Sequence, residues 1–183
     1  RRHTRYISVT GVQTCALPIS QPLLECTEDI HDEIFNINVK GALFCSKYAV
    51  KYMKENGGGS IVFTGSPHSD AGELDRVSYA CSKGAVVTLA NHIAKNYGQY
   101  NIRSNYITMG WTPTEGELAL RKSQGITKED LEETAKKIVP MSRMNTYDDI
   151  VPAIIYLLSD NSDRKSTRLN SSHTDISRMP SSA

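Results

Sequence analysis

The central part of the chain places a short β-rich run, a helical run and a second β-rich run in succession, and this order constrains the fold most strongly. SIVFTGS at 60–66 is too short for a helix and predicts a buried strand. The stretch 78–98 predicts a helix with one apolar face and a stop at Gly98. NIRSNYIT at 101–108 predicts a second strand. Strand, helix and strand in this order predict parallel pairing through a right-handed crossover.

Further helices are predicted on both sides of this unit. Thr27 is a capping residue for a helix that continues to the glycine run at 57–59, with Asn38 and Gly41 interrupting its amphipathic pattern. Thr127 and Thr146 each have an aspartate three positions later, which is the spacing of a capping box. These caps predict helices at 128–139 and from Thr146 onward, and a further helix is predicted at 115–123.

Two parallel strands are not a stable sheet by themselves. Parallel sheets are buried on both faces and need several neighbouring strands. The sequence therefore predicts an α/β fold that is part of a larger doubly wound parallel sheet.

The two ends of the chain lack the periodicity of the middle. Residues 1–19 and 163–183 show neither helical nor strand patterning and resemble translated adaptor or vector DNA, so we predict non-native flanks there and a partial domain at 20–162. An organelle transit peptide is the alternative for the arginine-rich N-terminus. The absence of an initial methionine and the similar character of the other end argue against that alternative.

Charge and composition narrow the possible partners. The first 19 residues carry three arginines and no acid, and the last 21 carry four bases and two acids. The middle therefore has a net charge of about −4, although the whole chain has +1, and it lacks the clustered basic surface of a nucleic-acid-binding protein. No apolar run is long enough to span a membrane. One group of four lysines is typical of a solvated helix face: Lys40, Lys47, Lys51 and Lys54.

Cysteine and histidine spacing gives no metal or disulfide pattern. Cys26, Cys45 and Cys81 have no CxxC spacing, which is typical of a reducing compartment and favours a cytoplasmic location. The histidines of the middle part are scattered, so we predict no metal site.

Four short segments occur in a defined order: NVKG at 38–41, TGS at 64–66, YACSK at 79–83 and IRSNYITMGWTPT at 102–114. Together they resemble the short-chain dehydrogenase/reductase family. Its marks are an N-[VL]-x-G segment, a serine that closes the fifth strand, Y-x-x-x-K, and a P-G-x-[IV]-x-T turn after the sixth strand. The segment 140–160 is also similar to the family sequence that leads to its last strand.

The resemblance implies specific roles. Tyr79 would transfer a proton and Ser66 would polarise the substrate carbonyl, while Asn38 would anchor a proton-relay water. A phenol with a reference pKa of about 10 is a poor base at neutral pH, so this chemistry needs nearby positive charge, from Lys83 and from an oxidised nicotinamide. The cofactor implied is NAD or NADP, and five residues would contact it: Tyr79, Lys83, Gly110, Thr112 and Thr114.

Each of these positions also has a purely structural interpretation. Tyr79 and Lys83 lie four residues apart and can share a solvated helix face. Ser66 can end a strand and Asn38 can mark a helix irregularity. The residues of the 110–114 turn can be turn residues only.

The sequence departs from the family pattern in several places. Met109 replaces the usual proline, which would loosen the turn, and Gly65 replaces a common second serine. The glycine-rich turn, the residue that selects NAD or NADP, the first four strands and the last strand are missing. We therefore expect this chain to be inactive alone, and the loop 67–77 and the lid 115–139 carry no recognisable substrate code.

The resemblance implies that the parent protein is a cytoplasmic NAD(P)-dependent oxidoreductase that interconverts a small-molecule alcohol and a ketone or aldehyde. It also implies a homodimer or homotetramer formed through the helices at 27–55 and 78–98. Two alternatives stay open: a non-catalytic interaction fragment or pseudoenzyme, and an epimerase of the extended branch of the superfamily. The short lid and the turn after the second strand argue against the epimerase.

Overall fold

The computed structural model describes residues 21–71 and 75–162. Its centre is a two-stranded parallel sheet of β1 (Gly59–Thr64) and β2 (Ile102–Ile107). Gly59 lies opposite Ile102, and the register continues without a break to Thr64 opposite Ile107. The predicted parallel pairing across an intervening helix is confirmed. The predicted flanks at 1–19 and 163–183 lie outside the described residues.

The described part of the chain also contains six α-helices. They are α1 (Glu28–Phe35), α2 (Gly41–Glu55), α3 (Val77–Tyr97), α4 (Glu115–Ser123), α5 (Lys128–Ile138) and α6 (Tyr147–Leu158). Each helix lies within a few residues of its predicted position.

Side-chain caps explain where three of these helices begin. The Thr27 hydroxyl accepts a backbone N–H in the first turn of α1. Thr127 and Asp130 form a complete capping box at α5, and Thr146 with Asp149 forms another at α6. Each box satisfies backbone donors that the first helical turn leaves without partners, so the predicted caps are confirmed.

The predicted interruption of the first long helix is a wide π-helical turn at Asn36–Lys40, between α1 and α2. Such turns insert an extra residue and are frequent at functional sites. At this turn the side chain of Asn38 contacts α3, where its amide donates to Ser82. The glycine run ends α2 because Gly57 and Gly58 have positive φ angles of 87° and 116°, which suit glycine.

The main core lies between the sheet and the helices α2 and α3. Its buried members are Val50, Met53, Phe63, Val86, Ala90, Ile93 and Ile102. Successive residues of β1 face opposite sides of the sheet. Phe63 therefore packs in this core, whereas the Ser60 hydroxyl donates to the carbonyl of Leu157 in α6, 2.8 Å away. The sheet thus separates α3 from α6, which gives three layers.

A second, smaller cluster holds the helices that follow β2. Leu131, Ala135 and Met144 are buried there, and Trp111 packs against them. This cluster ties the turn after β2 to α5, so the segment expected to act as a lid has a core of its own.

The surface agrees with the charge pattern of the sequence. The lysines predicted to form a solvated face, at 40, 47, 51 and 54, are all exposed. Among the described helices, none combines the length and the apolar character that a membrane span requires.

Candidate active site

Ser66, Tyr79 and Lys83 converge where β1 ends and α3 begins. Ser66 follows β1 by two residues, and α3 begins at Val77, so Tyr79 and Lys83 lie on its first two turns. The carboxyl ends of parallel strands are where doubly wound folds bind their ligands. Ser66 and Lys83 are only 6% and 7% exposed, and Tyr79 is half-buried.

The side chain of Ser66 influences the phenol of Tyr79, and its hydroxyl accepts the backbone N–H of His68 at 3.3 Å. Burial raises the pKa of Tyr79 above its ordinary value, and the side chain of Ser66 lowers it. The charge of Arg76 also lowers this pKa, whereas Tyr106 and Glu117 raise it. The net effect favours the protonated phenol.

Lys83 lies over the ring of Tyr79, with its Nζ 5.6 Å from the ring centroid. Its ammonium donates to the carbonyl oxygen of Thr64, 3.0 Å away, and burial lowers its pKa. The sequence argument relied on Lys83 and the nicotinamide to lower the pKa of Tyr79. In the structure the groups that lower it are Ser66 and Arg76, and burial outweighs both.

Asn38 reaches the site through a buried serine of α3. Its Nδ2 donates to the Ser82 hydroxyl at 2.9 Å, and that hydroxyl donates to the backbone carbonyl of Tyr79 at 2.7 Å. Ser82 is completely buried. The described contacts of Asn38 therefore support the backbone that carries Tyr79. Its role as the anchor of a proton-relay water stays a prediction.

The turn after β2 makes local hydrogen bonds. The Thr112 hydroxyl donates to the carbonyl of Gly110 at 3.1 Å, and the Thr114 hydroxyl accepts the N–H of Glu117 in the first turn of α4. A Cβ at Gly110 would lie 3.1 Å from the side-chain nitrogen of Asn145, so this position packs closely against the loop before α6. Contact of this turn with a nicotinamide stays a prediction.

Two aromatic residues of the site were missed in the sequence. The hydroxyl of Tyr106, on β2, accepts the backbone N–H of Ser66 at 3.0 Å. The ring of His68 meets the ring of Tyr79 edge-on, with centroids 6.0 Å apart. The only sequence signal for Tyr106 is Gly65, whose missing side chain leaves room for it. No sequence signal indicates His68.

Two further observations concern metal ligands and thiols. No three His, Cys, Asp or Glu side chains of residues 21–71 and 75–162 lie in an arrangement that could hold a metal ion. The cysteines at 26, 45 and 81 are free thiols.

A protein-family model described as enoyl-(acyl carrier protein) reductase matches residues 7–166. With the fold and the arrangement of Ser66, Tyr79 and Lys83, this match shows that the chain belongs to the short-chain dehydrogenase/reductase family, as the sequence motifs predict. The match begins inside the segment 1–19, so the boundary of that predicted flank stays a prediction.

Individual relatives agree with this assignment. An uncharacterized oxidoreductase of Thermotoga maritima is 36% identical over 136 residues, which are 74% of this chain and 54% of the relative. Carbonyl reductase (NADPH) 2 of Sus scrofa is 31% identical over 153 residues, 82% of this chain and 60% of that protein. The crystal structure of an NAD+-bound xylitol dehydrogenase superposes with a TM-score of 0.71 at 26% identity, covering 80% of this chain and 60% of that one. The chain thus spans about half the length of the curated relatives it matches.

Proposed function

We propose that the whole protein, meaning this chain together with the part of the family domain that it does not span, is an NAD(P)-dependent oxidoreductase. It interconverts a small-molecule alcohol and a ketone or aldehyde, and Tyr79 exchanges the proton. The observation that carries this proposal is the convergence of the buried residues Ser66 and Lys83 on Tyr79 where β1 ends and α3 begins, with the Lys83 Nζ 5.6 Å from the centre of the Tyr79 ring. The relatives named above support the reaction class.

The hydrogen-bonding capacity of Lys83 fits a nicotinamide cofactor. An ammonium group has three donors, and among the described residues its hydrogen-bond acceptor is the carbonyl of Thr64. The remaining donors are available for the ribose hydroxyls, while Gly110, Thr112 and Thr114 would line the nicotinamide end. When bound, the cofactor supplies or accepts the hydride and carries a positive charge in its oxidised form. One relative is named for NADPH and one structure holds NAD+, so both cofactors belong to the proposal.

The pKa of Tyr79 favours proton donation during carbonyl reduction. Burial raises this pKa, so at neutral pH the side chain is a phenol that can give its proton to the substrate oxygen. The hydroxyl of Ser66 can donate to the same oxygen, where negative charge develops. In alcohol oxidation the phenolate is required, and Ser66 and Arg76 both stabilise it.

Self-assembly is part of this proposal. Four large apolar or aromatic side chains of α2 are 43% to 65% exposed: Leu43, Phe44, Tyr48 and Tyr52. A contiguous exposed group of this kind favours a protein partner, and the family resemblance makes that partner a second copy of the chain. If analytical ultracentrifugation gives a monomeric mass for the whole protein, the proposed self-assembly is wrong.

The reaction class is tested with the whole protein and both cofactors. We expect NADH or NADPH to be oxidised in the presence of at least one member of a panel of ketones and aldehydes, followed as loss of absorbance of the reduced nicotinamide. Cofactor binding is measured separately by fluorescence titration. If the whole protein binds neither NADH nor NADPH, the proposal is contradicted.

A further inference from the structure

Tyr106 and Gly65 occupy one space at the end of the sheet. A Cβ added to Gly65 would overlap the ring carbons Cε1 and Cζ of Tyr106 and would lie 2.6 Å from the carbonyl oxygen of Ile107. The backbone of Gly65 is fixed by a hydrogen bond of 2.7 Å from its N–H to that same carbonyl. The ring of Tyr106 or the ends of the paired strands must therefore shift to admit a side chain at 65, so a side chain at 65 and the ring of Tyr106 compete for one space.

The phenol that fills this space acts on Ser66. The Tyr106 hydroxyl accepts the Ser66 N–H at 3.0 Å, at a point where β1 has ended and the N–H has lost its strand partner. Ser66 is extended there, with φ −149° and ψ 147°. Its hydroxyl accepts the N–H of His68 at 3.3 Å, and its side chain lowers the pKa of Tyr79. A backbone N–H in a buried position needs a partner to stay in one conformation.

We infer that Tyr106 is a positioning residue that acts through Ser66, and that Gly65 and Tyr106 form a complementary pair. The phenol of Tyr106 fixes the backbone of Ser66 and so holds the Ser66 side chain beside Tyr79. As a statement about catalysis this rests on the proposed function; the effect on Ser66 does not.

Tyr106 also affects the pKa of Tyr79. The charged or titratable groups that face this phenol come from several elements: Lys83 and Arg76 on and before α3, His68 from the loop after β1, Glu117 from α4, and Tyr106 from β2. Tyr106 raises the pKa of Tyr79. Its replacement by phenylalanine should therefore lower that pKa.

Tyr106→Phe in the whole protein removes only the acceptor oxygen. We expect kcat for carbonyl reduction to fall about fivefold to tenfold, as for the loss of one hydrogen bond that holds a reacting group. Reduction should also decline at a lower pH than in the wild type, because Tyr79 loses its proton earlier. The amide hydrogen of Ser66 should exchange with solvent at least tenfold faster. Tyr147→Phe, on an exposed tyrosine of α6, is the control and should change none of these quantities.

The pairing is tested with Gly65→Ser alone and in combination with Tyr106→Ala. The single substitution should lower kcat more than tenfold, because the new side chain displaces the phenol and also crowds the Tyr106 ring against the backbone of Ser66. The double substitution should raise kcat to the level of Tyr106→Ala alone, since alanine removes the crowding but does not restore the hydrogen bond to Ser66. Wild-type activity in Gly65→Ser, or no recovery in the double variant, would overturn the pairing.

The positioning role of Tyr106 is tested by Tyr106→Phe. If this variant has the same kcat, pH profile and Ser66 amide exchange as the wild type, Tyr106 does not position Ser66. If the wild-type protein reduces no carbonyl, the proposed function fails, and the exchange rate of the Ser66 amide still decides whether Tyr106 holds that residue. The two failures are therefore distinguishable.

Discussion

Tyr79→Phe is expected to lower kcat for carbonyl reduction by about 10²–10⁴-fold, the usual contribution of a positioned general acid. Phenylalanine keeps the ring that packs against His68 and Lys83 but lacks the hydroxyl that would exchange the proton. Because the ring stays, the KM for the cofactor should change by less than about threefold, as expected when an interaction of the transition state is lost. Steady-state kinetics of the whole protein give both values.

Tyr97→Phe is the matched control for this substitution. Tyr97 lies on the same helix, at its opposite end, and packs partly against the main core. Its substitution should leave kcat within twofold of the wild type. Turnover by Tyr79→Phe at a rate close to the wild type would show that Tyr79 does not transfer the proton.

Lys83→Met is expected to lower kcat/KM for the cofactor by about 10–100-fold, which corresponds to the loss of charged hydrogen bonds of about 1.5–3 kcal/mol. The free energy of unfolding should stay the same or rise. Lys83 is 7% exposed, and its pKa is lowered because burial disfavours its charge. Methionine fills a similar volume without that cost of desolvation.

The opposite directions of activity and stability separate a binding role from a structural one. Lys95→Met, on an exposed lysine of the same helix, should change neither quantity. Urea unfolding and cofactor titration of the two variants give the comparison. A large loss of stability in Lys83→Met, with cofactor affinity unchanged, would assign Lys83 a structural role instead.

The architecture was predictable because its signals are local. The short β-rich runs of the strands, the apolar face of α3 and the Thr-x-x-Asp caps of α5 and α6 each depend on neighbouring residues. The π-helical turn was visible only as an irregularity around Asn38 and Gly41, since its geometry follows from packing against α3.

The partners of the predicted site residues were not predictable in the same way. The contact between Ser66 and Tyr106 joins residues 40 positions apart, and that between Asn38 and Ser82 spans 44. Such contacts exist only once the strands are in register and the helices are packed. Gly65 is an example. In the sequence it is only a departure from a family pattern, whereas in the structure its lack of a side chain leaves room for the ring of Tyr106.

The protonation behaviour of Tyr79 was also beyond the sequence. Motif spacing places an ammonium near the phenol, but the direction of a pKa shift depends on how much of the phenol is buried and on which atoms meet its oxygen. In the structure burial has the largest influence on the pKa of Tyr79. Lys83 lies over the ring, and its ammonium donates a hydrogen bond to the carbonyl of Thr64.

The most direct test of the account is the pKa of Tyr79 in the whole protein, measured by NMR with tyrosine labelled with ¹³C at Cζ and with Tyr79→Phe to assign the signal. We expect a value above the ordinary 10.0 of tyrosine in the protein alone. We expect a clear decrease when NAD+ or NADP+ is bound, since the added positive charge stabilises the phenolate. An unshifted value that is the same with and without the bound cofactor would contradict the account.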